Sequence, residues 1–262
     1  MHPAISYIRR HALLLLTAVL FIALASGYAL GYRPGPSFTV VRVGTLVLSG
    51  IPEGGTVFAD ETRRAVSKGT DVRITLEPGS HSIIVDVKGD YPWNDVITVA
   101  PSIDTPAHPI LVPLKMPATH ATAEEIKQAN ALFAAYALPN EQHPLVMENG
   151  CANVYVSDNR IVATAATTTG CVPPAFLCIG GTCATTVVLS PTAEIHSVIA
   201  YPGRQDALIV SYGSILAVLE VNPLKPQFFA PLLQGGVAPL AVPFDEHHVV
   251  VRDDLMTSLI SF

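Results

Sequence analysis

Between residues 12 and 32 the chain reads ALLLLTAVLFIALASGYALGY, a run whose only ionisable groups are the hydroxyls of Tyr28 and Tyr32. About 20 apolar residues suffice to cross a bilayer as a helix, in which every backbone polar group is satisfied internally. A soluble helix of that length normally keeps a polar face. Arg9 and Arg10 stand just before the run, and flanking positive charge tends to stay on the cytoplasmic side during insertion. The expectation is a cytoplasmic stub over 1–10, a transmembrane signal anchor over 11–32, and the remainder outside the cytoplasm. Tyr28 and Tyr32 fall at the far end, where amphipathic rings sit at headgroup level, and Arg33-Pro34-Gly35-Pro36 then stops the helix. A cleaved signal peptide processed near Ala23-Leu24-Ala25 is the first rival, but the apolar run continues past that site and exceeds the roughly 7–15 residues of a signal core. A buried core helix is the second.

The chain has 262 residues, of which 50% are hydrophobic and only 14% charged. An average soluble protein carries about 25% charged residues, so the bias favours strands and a membrane segment over charged helical bundles. The 15 Lys and Arg are scattered and the formal net charge is −6. With no basic stripe to neutralise a phosphate backbone, no nucleic-acid partner is expected. The 22 Pro and 18 Gly, spread without a repeat, fit many short strands joined by turns.

Beyond a linker over 33–42, residues 39–47 and 56–59 carry β-branched side chains on either side of Gly50-Ile51-Pro52-Glu53-Gly54-Gly55, which reads as a hairpin. Residues 71–76 alternate polar and apolar, and with 81–87 they flank Glu77-Pro78-Gly79-Ser80, where Pro presets one turn position and Gly takes the positive-φ one. A last strand over 95–100 leads to the extended segment 110–114.

These residues resemble the PEGA domain, a small β-sandwich-like module of bacterial and archaeal surface and envelope proteins, over 43–116. The resemblance rests on Pro52-Glu53-Gly54-Gly55, on the Glu77-Pro78-Gly79-Ser80-His81 turn with a strand on each side, and on Lys88-Gly89-Asp90-Tyr91 as a Gly-Tyr turn with one residue inserted. It departs from the family at Asp60-Glu61, which lacks the usual glycine of the first hairpin tip, and at Lys68-Gly69-Thr70, which lacks the following proline. What it implies is an exported spacer or interaction module that contacts envelope polymers, without catalytic residues. Tyr91 and Trp93 either pack over a sandwich edge or, if exposed, offer an aromatic platform to a sugar ring.

Thr122-Ala123-Glu124-Glu125 begins a connector helix within 117–144, with Thr122 and Glu125 in a capping-box pattern and an end by Pro139. The C-terminal region, 145–262, reads as short strands over 153–156, 160–164, 185–189, 195–201, 207–210, 215–221, 247–252 and 256–262. The segment 195–221 is similar to a β-propeller blade, yet a propeller needs at least about four blades of roughly 40 residues. The expected fold class is therefore all-β: an N-terminal transmembrane helix, a PEGA-like sandwich, a helical connector, and a second β domain of partial-propeller or sandwich type.

The four cysteines, Cys151, Cys171, Cys178 and Cys183, all lie in the C-terminal region. In an exported segment they suggest two disulfides, and of the three possible pairings Cys151–Cys171 with Cys178–Cys183 is preferred. A zinc site is the alternative, although the spacings exceed C-x₂-C. Asp245-Glu246-His247-His248 is the densest group of potential ligands or proton carriers, but consecutive strand residues point to opposite faces, so a polar turn opening the next strand is the simpler reading. No G-x-S-x-G elbow, P-loop or dinucleotide fingerprint is present. No catalytic residue, cofactor or metal is expected. The functional expectation is a membrane-anchored binding or structural protein of the cell envelope, with an envelope polysaccharide or an exported protein as partner. The alternatives are an exported hydrolase using His196, His247 or His248, and a scaffold subunit docking onto another exported protein.

Overall fold

Most of the long apolar run lies in one helix, α1 (Pro3–Ala29), which starts inside the expected stub and stops short of the expected end at residue 32. The computed structural model describes residues 3–34, 40–115, 118–166, 170–179, 181–223, 226–235, 237–254 and 256–262. Gly35, Pro36 and Thr39 of the linker, the Met116 boundary, and the side chains of Arg9 and Arg10 lie outside the described residues. Along α1, Leu14, Leu16, Val19, Phe21, Ile22 and Leu24 are each more than half exposed, and at 100° per residue they occupy every side of the helix. Among the described residues no helix is long and apolar enough to cross a membrane.

The chain divides into two compact units. The first comprises Met1–Val85 with Val96–Pro109. After α1, β1 (Tyr32–Pro34) pairs antiparallel with β2 (Val40–Arg42). The following strands are β3 (Gly44–Leu48), β4 (Thr56–Ala59), β5 (Thr62–Val66), β6 (Val72–Leu76), β7 (Gly79–Asp86), β8 (Trp93–Val99) and β9 (Asp104–Ala107). They form two sheets, ordered β6-β3-β9 and β5-β4-β7-β8. Alternation sets the inward faces: Leu46 and Leu48 of β3 and Val72, Ile74 and Leu76 of β6 on one sheet, and Val57 and Ala59 of β4 with Ile83 and Val85 of β7 on the other, are all buried.

This arrangement corrects the hairpin expected over 39–59. β3 and β4 belong to different sheets, because the turn over residues 50–55 carries the chain from one sheet to the other, as the Glu77-Pro78 turn does from β6 to β7. The hairpin lies one strand later, between β4 and β5. Its tip, Asp60-Glu61, takes φ of +50° and +61° without a glycine. At Gly44, by contrast, only glycine fits, since an added Cβ would lie 2.1 Å from the Ala100 carbonyl oxygen.

The second unit comprises Asp86–Asp95 with Ile110–Phe262. It holds β10 (Ala118–His120), α2 (Ala123–Ala135), β11 (Leu145–Met147), β12 (Ala152–Ser157), β13 (Arg160–Ala165), β14 (Cys178–Ile179), β15 (Thr182–Cys183), β16 (Thr186–Leu189), β17 (Ile195–Ala200), β18 (Ala207–Tyr212), β19 (Ile215–Glu220), β20 (Phe229–Gln234), β21 (Leu240–Pro243), β22 (His248–Asp253) and β23 (Met256–Ser261). Three antiparallel four-stranded sheets result: β11-β12-β13-β16, β17-β18-β19-β20, and β10-β23-β22-β21. The early strand β10 thus completes the sheet made by the last three.

The sheet β17–β20 is covered on both faces. Val198, Leu208, Val210, Ala217 and Leu219 pack with Met147, Val154, Ile161 and Val188 of the first sheet. On the other side Ser211 Oγ donates to the Pro239 carbonyl, and Ala241 N–H donates to Ser197 Oγ at 3.2 Å. Double coverage explains the unbroken apolar runs Leu208-Ile209-Val210 and Leu216-Ala217-Val218-Leu219, all buried. α2 begins at the expected capping box: Glu125 N–H donates to Thr122 Oγ1, and Thr122 N–H donates to the Glu125 carboxylate at 2.7 Å. Its buried Ala129 and Phe133 pack on Val242 and Val250.

Candidate functional site

The four cysteines form the two preferred pairs, Cys151–Cys171 and Cys178–Cys183, with Cα separations of 5.4 and 4.0 Å. The second pair joins cross-strand partners of the β14–β15 hairpin. Trp93 is buried at 3% exposure and Tyr91 is half-buried, so Trp93 does not offer its face to a sugar ring. Its indole Nε1 has no hydrogen-bond partner among the described residues. Among the described residues no three or more His, Cys, Asp and Glu side chains are grouped as metal ligands would be, those of Asp245-Glu246-His247-His248 included. Asp245 accepts the His247 N–H at 2.8 Å, and its carboxylate oxygens lie 2.7 and 2.8 Å from His248 Nδ1. The His247 N–H bond, opposed by slight burial and aided by His248, holds the Asp245 carboxyl below its ordinary range.

His196 lines a cavity of about 390 Å³ that it shares with Glu194, Val237, Ala238, Arg252 and Asp254. The walls are held from outside. Asn159, left-handed at the β12–β13 tip, accepts the Ile195 N–H at 3.0 Å and donates to the Ala193 carbonyl at 3.0 Å. On the other wall Val237 N–H donates to Asp253 Oδ1 at 2.9 Å, beside Ala238 with φ +48°. The Arg252 guanidinium lies 4.4 Å from the centroid of the Phe133 ring, a cation–π contact that fixes its orientation. Two carboxylates, an imidazole and a guanidinium around one small open cavity suit a ligand rich in hydroxyl or amide groups. Sequence reading reached His196 but not Glu194, Arg252 or Asp254. The signal present was the Asp158-Asn159 pair, a residue type that favours two-residue hairpin tips.

A second group of ionisable residues, partly buried, gathers around Arg204 and Asp206. Arg204 binds Asp206 through two parallel bonds, Nε to Oδ1 at 2.8 Å and Nη2 to Oδ2 at 2.7 Å. Burial, reinforced by Asp206 and opposed by Arg204, pushes the Glu148 carboxyl up to about 7. Burial, reinforced by Asp95 and Asp206 and opposed by the Phe228 N–H and Arg204, pushes Glu220 up to about 8. Glu148 and Asn149 both have positive φ, +52° and +54°, ahead of Gly150 at +88°. In the first unit His81 lies between Asp60 and the Glu77 carbonyl, at 2.7 Å from each.

Compared with known proteins, the chain matches no family model and no curated protein.

Proposed function

We propose that this chain is a single-pass, membrane-anchored protein of the cell envelope whose β-rich bulk lies outside the cytoplasm and serves binding or architecture rather than catalysis. The observation that carries the reading is the apolar girdle of α1, exposed on every side. Such a surface needs an apolar medium, and hydrocarbon supplies one. Two disulfides support an oxidising compartment for the second unit. The two-sheet first unit suits the PEGA-like sandwich that its turns resemble, and a spacer or polymer-contacting role follows from that resemblance. The three four-stranded sheets of the second unit resemble propeller blades, one short of the smallest usual ring. The cavity at His196, Glu194, Arg252 and Asp254 is the candidate recognition surface for an envelope polysaccharide.

The anchor is tested by alkaline carbonate extraction of native membranes. The full chain stays in the pellet on this reading, and release into the supernatant overturns it. Recognition is tested by retaining the detergent-solubilised chain on immobilised envelope glycans, with Arg252→Ala and Asp254→Ala lowering retention. A hydrolytic reading draws on the meeting of His196 with two carboxylates in one cavity. Turnover of ester, peptide or glycoside substrates abolished by His196→Ala would establish it instead.

A further inference from the structure

The C-terminal end of α1 borders two hollows of opposite character that share Tyr28 and Arg33. One, of about 520 Å³, is walled by Ala23, Leu24, Gly27, Tyr32, Pro34 and Val40. Its floor is open at Gly27, where an added Cβ would meet nothing within 4 Å. The other, of about 530 Å³, is polar and is lined by Arg64, His81, Asp60 and Glu77. Arg33 stands at the junction. Its Nη1 donates to the carbonyls of Tyr28 at 2.7 Å and Tyr32 at 3.0 Å, which caps the helix end, and its guanidinium carbon lies 3.4 Å from the centroid of the Tyr28 ring. A guanidinium has five N–H donors in a rigid fork. With Nη1 spent on the two carbonyls, Nε–H and Nη2, which bond to none of the described residues, are the donors available to an oxyanion.

The charges around the polar hollow are uneven in availability. Asp60 is committed: its Oδ2 holds His81 Nδ1 at 2.7 Å and its Oδ1 accepts the Ser82 N–H at 3.2 Å. Burial draws the His81 imidazole down, but the hydrogen bonds to Asp60 and the Glu77 carbonyl and the charge of Asp60 outweigh it, against Arg64, and the imidazole titrates above its ordinary range. Arg33, Arg64 and His81 thus confront Asp60, already paired, and Glu77. A phosphodiester fits the guanidinium pair in two-pronged fashion, and a hydroxyl or ammonium on the same headgroup has Glu77 to meet.

We propose that the junction of α1 with the first β unit binds one phospholipid, its phosphodiester on Arg33 and Arg64 and its acyl chain along the Gly27 groove. The inference rests on the anchor reading, which sets this end of the helix at headgroup level. An apolar groove running into a cationic pocket matches an amphiphile and neither a free anion nor a plain hydrocarbon.

The test uses the full chain purified in detergent, stripped of lipid, and titrated with phosphatidylglycerol, diacylglycerol or glycerol phosphate, with bound molecules counted by native mass spectrometry. One phosphatidylglycerol per chain is expected, held at least about tenfold more tightly than either fragment of its chemistry. Arg64→Gln and Gly27→Leu each weaken it by about tenfold. Arg63→Gln, on the same strand but not part of the lining of the polar hollow, leaves it unchanged. Equal retention of diacylglycerol and phosphatidylglycerol, or insensitivity to both Arg64→Gln and Gly27→Leu, overturns the site. Flotation of the same proteins with phosphatidylcholine vesicles separates this from the anchor. Chains that float but show no preference for phosphatidylglycerol retain the anchor and lose the lipid site, whereas chains that fail to float lose the anchor on which the site depends.

Discussion

The phenol of Tyr136 serves both backbone groups of Val198: it donates to the Val198 carbonyl at 3.1 Å and accepts the Val198 N–H at 2.8 Å. Tyr136 is the C-cap residue of α2, and Val198 is fully buried in β17. One side chain therefore ties the end of the connector helix to the central sheet of the second unit. Tyr136→Phe keeps the ring and strands a buried donor and acceptor. Denaturant unfolding of the detergent-solubilised chain should report a loss of about 2–4 kcal/mol.

The buried carboxyls set the sign of a pH dependence. Glu220 titrates at about 8 in the folded chain against an ordinary value of 4.5, and Glu148 at about 7. The folded state therefore holds protons that the unfolded state releases between about pH 4.5 and 8. Stability falls as pH rises across that window, and it is greatest at its acid end. Glu220→Gln, which has no charge to bury, should flatten the decline. Its advantage over the native residue should be largest at and above pH 8, as read by melting temperature across a pH series.

The two disulfides should differ in weight. Cys151 and Cys171 are separated by 20 residues and Cys178 and Cys183 by 5. On the loop-entropy account the longer closure contributes about 3 kcal/mol and the shorter about 2 kcal/mol. Cys151→Ser paired with Cys171→Ser should lower the unfolding midpoint more than the equivalent change at the short loop.

At the β4–β5 tip, Glu61 sits at φ +61° without the glycine that such a position favours. Glu61→Gly should stabilise the first unit by about 0.5–1 kcal/mol. The same change at Asp60 should not, because its carboxylate holds His81 and the Ser82 N–H. A thermal melt of the two variants side by side distinguishes them.

Strong, local signals carried most of what could be read from the chain. The capping box at Thr122 and Glu125, the apolar run of α1, and strands such as β17 to β19 are encoded by neighbouring residues and were legible. What escaped depends on partners distant in sequence. β5 reads TRRAV and is largely exposed, so no apolar alternation marks it. β9 contains Pro106 and pairs in parallel with β3 as an edge strand, a placement that tolerates proline but leaves a weak signature. β20 and β21 carry Pro231 and Pro243. β3 and β4 fall in different sheets although each buries its apolar residues, Leu46 and Val57 among them, a placement that strand composition cannot express. At the candidate site, Glu194, Arg252 and Asp254 come from separate loops and strands, and only folding brings them to His196.

On the proposed topology the β-rich bulk lies on the opposite side of a membrane from residues 1–10. Sealed, right-side-out vesicles bearing the full chain, treated with added protease, measure this directly. Digestion of everything beyond residue 33 in intact vesicles is the predicted result. Protection of that portion until the vesicles are lysed would contradict it.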